Sequence, residues 1–266
     1  MMMKPLAWKL AVVALCLSLR TARAAEPPLR SQIIVPVVGS VEGVGLVHWQ
    51  TDLAVHNDLR SPVDVALTLP TLGDQYLLAL TLQPGQTVRY PDLMGEVFNL
   101  AGVLAPLSIT MSSPRPLPVQ TTVWGLKADH PPTAQFIPPI YTMPAFPLRV
   151  LSGLSFSDQF RTNVGLGNVG AKPALFVLAL RRVEGRDVAV RSLMIPPNTL
   201  WQIPIHVLFP VITDGNNFTI VAEVSGPDTY VYASVIDNAT NEARFVQPGV
   251  SVPRPELTTS VPRSVR

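Results

Sequence analysis

A chain of 266 residues with 28 prolines, 47% hydrophobic and only 14% charged residues is too apolar to be disordered throughout and too rich in proline for long helices. Its 20 basic and 18 acidic residues nearly balance, and no Lys/Arg cluster with interleaved aromatics occurs, so the electrostatic footprint of a nucleic-acid binder is missing. Short strands joined by Pro/Gly turns remain, at a length that allows one large domain or two ordinary ones.

In chain order, Lys4 and Lys9 flank the start of an apolar run over 10–19, and Ala22-Arg23-Ala24 puts small residues where a signal peptidase reads. Residues 1–24 are therefore expected to be a signal peptide, which makes the protein exported: periplasmic, on the cell surface or extracellular. The run is about half the roughly 20 residues that a spanning helix needs, so no transmembrane segment is expected in the mature chain. Cys16, the single cysteine, lies in this run behind Leu15, which disfavours a lipid anchor there and leaves the mature chain without cysteine. Such a chain must hold together by its core and strand pairing, and it has neither thiol catalysis nor thiolate metal sites. Loss of Lys4, Lys9, Arg20 and Arg23 leaves 16 basic against 18 acidic residues, so the positive charge belongs to the precursor.

Alternation and turn signals predict strands over 32–37, 49–55, 63–69, 76–82, 107–111, 119–126 and around 135–137. A second series follows over 148–153, 160–166, 174–182, 188–195, 218–224, 230–236 and 243–246. Helical turns are predicted over 91–100 and 204–209. The two series are related. Trp49-Gln50-Thr51-Asp52-Leu53 recurs as Phe160-Arg161-Thr162-Asn163-Val164, about 111 positions on. Leu82-Gln83-Pro84-Gly85 matches Ile195-Pro196-Pro197-Asn198, Tyr90-Pro91 matches Ile203-Pro204, and Phe136-Ile137-Pro138-Pro139 matches Phe245-Val246-Gln247-Pro248. The blocks keep their order at a nearly constant offset, which reads as a domain duplication.

The expected fold is all-β: two tandem antiparallel β-sandwiches of immunoglobulin-like type. Copy 1 spans 29–139 and copy 2 spans 148–249, joined by a proline-rich linker over 140–147 and followed by a disordered tail over 250–266. Without a cysteine pair, a true antibody-type domain is excluded. On the first signature strand Trp49, Thr51, Leu53 and Val55 share a face with counterparts Phe160, Thr162, Val164 and Leu166, and that face is core. The opposite face carries His48, Gln50, Asp52 and His56 in one copy but Gln159, Arg161, Asn163 and Gly167 in the other. The signature residues Trp49, Thr51, Asp52, Phe160, Thr162 and Asn163 are accordingly read as structural.

The pattern W/F-x-T-D/N, a strand ending in His/Gly-Asn, a Pro-Gly turn and an aromatic F-I-P close resembles a group of secreted bacterial proteins of unknown function, over most of residues 30–248. Tyr232-Ala233-Ser234-Val235-Ile236-Asp237-Asn238, followed by Phe245-Val246, looks like that group's closing segment. The resemblance implies export and the repeated β unit, and brings no activity. Copy 1 departs from it at Val123-Trp124-Gly125-Leu126.

Chemistry-bearing constellations are sparse. His48, His56, His130 and His206 sit in different surroundings with no Gly-x-Ser-x-Gly elbow, so no catalytic triad is expected. His48 and His56 lie roughly 26 Å apart on a straight strand, too far to share an ion. Asp214-Gly215-Asn216-Asn217 lacks the ligand pattern of a calcium loop and reads as a turn. Neither a cofactor nor a metal is implied, and a non-enzymatic structural or interaction protein of the cell envelope is expected, binding an unidentified protein or glycan partner. Trp124, Trp201, Tyr230 and Tyr232 are the candidate contacts, as exposed platforms on which a carbohydrate would stack. A glycan-acting hydrolase would draw carboxylates from Asp52, Asp64, Asp74, Glu184, Asp187 or Glu223, and nothing in the sequence pairs two of them. Residues 174–180 alternate Leu175, Val177, Ala179 with Phe176, Leu178, Leu180, so both faces of one strand are apolar; close packing of the two copies, or self-association, is expected to cover the outer one.

Overall fold

The computed structural model describes residues 30–70, 75–128, 130–141 and 148–250. The expected signal peptide over 1–24, most of the expected linker and nearly all of the expected tail lie outside them. The described residues are predominantly strand, paired antiparallel throughout, in a sandwich-like all-β arrangement.

The first half contains β1 (Ser31–Glu42), β2 (His48–His56), β3 (Val63–Pro70), β4 (Gln75–Leu82), β5 (Thr87–Tyr90), β6 (Val103–Met111), β7 (Val119–Leu126) and β8 (Thr133–Phe136). The second contains β9 (Leu148–Phe156), β10 (Phe160–Asn168), β11 (Ala174–Arg181), β12 (Asp187–Ile195), β13 (Thr199–Pro204), β14 (Gly215–Val224), β15 (Thr229–Asp237), β16 (Ala243–Val246) and the short β17 (Gly249–Val250). Pairing runs β4-β3-β6-β1 and β5-β2-β7-β8 in the first half; it runs β12-β11-β14-β9-β17 and β13-β10-β15-β16 in the second. Strand for strand the order is the same. Registers agree too: Leu53 lies between Tyr90 and Thr121, and Val164 lies between Ile203 and Ala233.

One difference separates the halves. β1 shifts register between Val35 and Val38, beside Pro36, which has no N–H for the ladder. The strand bends there, pairs β6 over Ser31–Ser40 and β2 over Ser40–Glu42, and so joins the first half's strands into one eight-stranded sheet. A sequence-based strand that stops at residue 37 misses this crossing.

Alternation explains which side faces in. β3 and β11 show the same burial at each successive position, with Val65 and Leu67 matched by Phe176 and Leu178. Each such side chain contributes about 1.5–3 kcal/mol by leaving water. The predicted helical turns are present as a single wide π-type turn over Leu93–Phe98, which inserts Leu93 and Met94, and as α1 (Ile205–Leu208), which inserts Ile205 and Leu208. The Pro-Gly turn and its counterpart both need a left-handed residue, supplied by Gly85 (φ 74°) and Asn198 (φ 53°).

Two buried side chains per half tie the paired layers together. Thr51 accepts from Gly39 N at 2.8 Å and donates to Gly39 O at 3.1 Å; Thr162 repeats this with Ser155 at 3.2 and 2.6 Å. At the end of β2 the Asn57 amide donates to Ser61 O and Leu82 O, both at 2.9 Å, and accepts from Leu59 N at 3.0 Å. Asn168 at the end of β10 donates to Lys172 O at 2.8 Å and Ile195 O at 3.1 Å, and accepts from Gly170 N at 3.0 Å. Replacing either asparagine by Ala leaves buried carbonyls unpaired, at about 1–3 kcal/mol each. Asn57→Ala and Asn168→Ala are therefore each expected to lower stability by a few kcal/mol, seen as a lower urea midpoint at unchanged slope, whereas an unshifted midpoint would remove them from the framework.

Candidate functional site

The halves meet through one face of the β13-β10-β15-β16 sheet: β13 lies against β6, β16 lies against β8, and β15 reaches the first half with the side chains of Tyr230, Tyr232 and Ser234. Tyr230 and Tyr232, 1% and 2% exposed, belong to the hydrophobic cluster of the first half. Tyr230 donates to Pro36 O at 2.6 Å, using the carbonyl at the β1 bend. Tyr232 stacks on Phe245 with ring centroids 5.0 Å apart and donates to Gln202 at 3.2 Å. Burial pushes both phenols well above their ordinary pKa, so they stay neutral donors. Opposite them on β10 stand Gly167 and Gly165, where an added Cβ would lie 2.0 Å from a tyrosine ring carbon. The glycines let the rings lie flat on the strand. Gln135 and Ser234 complete the contact, with amide and hydroxyl bonded at 2.9 and 3.2 Å.

These positions correct one expectation. Tyr230 and Tyr232 are interface core and are not exposed platforms for a sugar. Trp201 does stand exposed, on β13, and partly buried Trp124 lies on the open face of the first half. The expected packing of the halves is present, but not through the Leu175–Val177–Ala179 face, which stays outside the contact.

Beside the contact lies a cleft of about 530 Å³ between the halves. Its walls are mostly apolar, with Val37, Val123 and the half-buried Trp49 on one side and Ile236 on the other. Arg161, Asn163, Gln202 and His206 place polar groups along the second-half wall, and Glu42 and Gln135 face them from the first. The indole of Trp49 fits against Gly125, where a Cβ would come within 2.8 Å of the ring. His206 stacks on Phe156 at 4.6 Å. The Arg161 guanidinium is held by Asn238 at 2.8 Å and Asn241 at 3.1 Å. It forms no ion pair among the described residues, and burial lowers its pKa against the opposing pull of Asp237. Neutral amides thus position a cation without cancelling its charge.

Of the sequence-predicted residues, Trp49, Asn163 and Tyr232 reach this cleft; Thr51, Thr162 and Phe160 serve the framework. Arg161, Gln202, His206 and Gln135 were missed as site residues. The signal that existed was the pair of glycines in β10 opposite two tyrosines in β15.

Asp52 and Trp124 assemble elsewhere. Arg89 binds Asp52 in a fork, with Nη2 to Oδ2 at 2.6 Å and Nε to Oδ1 at 3.0 Å, and the Trp124 indole donates to Oδ2 at 3.3 Å. The Arg89 guanidinium holds the Asp52 carboxyl below the usual range, against a burial effect that raises it. A second linear set was also unpredicted: Ser40 Oγ lies 3.2 Å from His48 Nε2, and His48 Nδ1 lies 2.8 Å from Glu42 Oε1. The order matches a hydrolase relay, and cross-strand pairing of Glu42 with His48 creates it. Ser40 is 4% exposed and does not line the cleft, so the set fastens the β1–β2 hairpin. His56 bonds Thr87 at 2.8 Å.

No family model and no curated protein matches the chain.

Two outcomes follow from these geometries. Gly165→Val drives a side chain into the Tyr232 ring and is expected to loosen the halves, read as a larger radius of gyration by solution scattering with strand content retained; unchanged dimensions would contradict the contact. Because the Asp52 carboxyl titrates lower folded than unfolded, near 3.9, its stabilisation is present above that pH and is lost as pH falls through the folded value. Asp52→Asn should therefore flatten the acid limb of the stability profile below about pH 4, measured by urea unfolding across pH.

Proposed function

We propose that the protein is an exported, non-enzymatic binding protein of the bacterial envelope or exterior, released from its signal peptide and built from a duplicated immunoglobulin-like β-sandwich, with the cleft between the two units as its recognition site for a protein partner. The observation that supports this best is the cleft itself. Its volume is in the range of ligand sites, its walls are mainly apolar, and its polar groups line both walls, four on the second half and Glu42 and Gln135 on the first. The frame is fixed by paired buried hydrogen bonds in both units, so recognition would act on a largely preformed surface and lose little to ordering. Arg161, cationic and unpaired by any described acid, suits a carboxylate or carbonyl-rich segment of the partner, with an apolar side chain against Trp49.

A glycan is the second reading, favoured by the grouping of Trp49 with the planar amides of Asn163, Gln202 and Gln135. It replaces the tyrosine platforms that burial removes.

The test is capture from envelope and culture-supernatant fractions by the mature chain and by Arg161→Ala and Trp49→Ala variants, alongside a glycan array. A partner or glycan bound by the parent and weakened roughly tenfold or more in both variants is the expected result, on the scale of losing one central contact. Equal capture by parent and variants would exclude the cleft. Binding restricted to the array would favour the glycan.

A further inference from the structure

One turn of the first half breaks a rule that the rest of the chain keeps. Among the described residues, five non-glycine residues have a left-handed backbone, and four of them are asparagines: Asn99, Asn198, Asn217 and Asn241. The fifth is Leu46 (φ 60°), which follows Gly45 (φ 75°) in the β1–β2 turn. Asparagine enters this region readily because its short amide bonds to nearby backbone, whereas leucine bears the full steric cost. Leu46 is 86% exposed and Val44 in the same turn is 70% exposed, so burial within the chain does not offset that cost. The matching β9–β10 turn, Ser157-Asp158-Gln159, is polar and closes on its own Ser157 hydroxyl, which accepts from the N–H groups of Gln159 and Phe160 at 3.2 Å. A strained, apolar and uncovered turn in one unit only marks a contact made outside the chain.

The turn adjoins the cleft, and the cleft fixes the chemistry of that contact. Gly43 and Val44 line it together with Trp49. The indole lies against Gly43, where an added Cβ would meet Nε1 at 2.4 Å, so the apolar wall continues from Trp49 into the turn. The opposite wall supplies donors. Arg161 has five N–H groups and gives two, to Asn238 and Asn241, which leaves three. Gln202 accepts from Tyr232 with its amide oxygen, which leaves its NH2 group. Nearby acids are engaged elsewhere: Glu42 bonds His48 at 2.8 Å, and Asp237 Oδ1 accepts from the N–H groups of Ala239 and Thr240. An apolar wall facing a cation with free N–H groups is complementary to a carboxylate carried beside an apolar side chain.

We propose that the partner segment carries Asp or Glu next to a large apolar residue, the carboxylate meeting Arg161 and the apolar side chain packing on Trp49 and the Val44–Leu46 turn. This rests on the cleft being the recognition site, and it extends that site onto the turn.

Selection of a phage-displayed random peptide library on the immobilised mature chain is expected to enrich peptides in which Asp or Glu stands beside Leu, Ile, Phe or Trp. A synthetic copy of an enriched peptide should bind Arg161→Gln and Leu46→Asn roughly tenfold or more weakly than the parent, measured by fluorescence anisotropy. Leu46→Asn should also unfold at a higher urea concentration than the parent, because asparagine relieves the turn; damage to the fold would move both readings down together. No enrichment, peptides without the acidic and apolar pair, or a Leu46→Asn protein that binds as the parent does or is no more stable would each overturn the proposal. If capture from envelope fractions still depends on Arg161 and Trp49 in that event, the cleft keeps its role without this partner chemistry. Should that dependence be missing as well, both readings fall.

Discussion

A strand that ends inside a protein leaves carbonyls facing a turn that cannot be filled with water, and in both halves of this chain one asparagine amide meets that need. Asn57 and Asn168 each donate to the turn that leads into the next strand and to the carbonyl that closes the hairpin beyond it, while the amide oxygen takes a backbone N–H two residues on. Three chain segments are thereby fixed around one side chain. Glutamine would reach too far and aspartate has no donor, so the position admits little else. The entry to β3 or β11, the end of β4 or β12, and the left-handed turns at Gly85 and Asn198 all depend on it.

With the frame set, the units differ on their surfaces. The face of the second half that carries Gly165, Gly167, Tyr230 and Tyr232 is spent on contact with the first, while its equivalent in the first half holds a buried Asp52 under the exposed Arg89 and the half-buried Trp124. Sequence comparison alone reads this mismatch as the absence of a repeated site. Its physical source is that an asymmetric contact between two similar units uses different surfaces of each. The same holds inside: Arg149, 2% exposed, occupies a strand position that matches core residue Ile33, donates to Thr229 O, and has its pKa lowered by burial to about 10.

Much of the β frame was legible in the sequence. Period-two alternation located β3, β7, β11 and β16 to within a residue, and the matched turns gave the common order of both halves. β5 and β13 escaped because each is short and follows a turn directly, and the second part of β1 escaped because a proline there marks a bulge as readily as an end. The site was far less legible. A tyrosine on a strand looks the same whether it meets water or a neighbouring unit, and a cleft formed between halves has no signature in either half. Ser40, Glu42 and His48 became neighbours only through a hairpin crossing that the proline had hidden.

The dependence of the interface on Tyr230 and Tyr232 bears on the order in which the molecule is completed. Synthesis delivers the first half whole, with its Pro36 carbonyl and the apolar strip along β1 and β6 uncovered, long before β15 exists. That strip must wait through the making of about ninety further residues, between the end of β8 at Phe136 and the start of β15 at Thr229, and its cover is among the last strands to arrive. A chain cut short before β15 would thus be well formed over its first half and adhesive on one side, which makes the C-terminal strands the molecule's own guard against premature association.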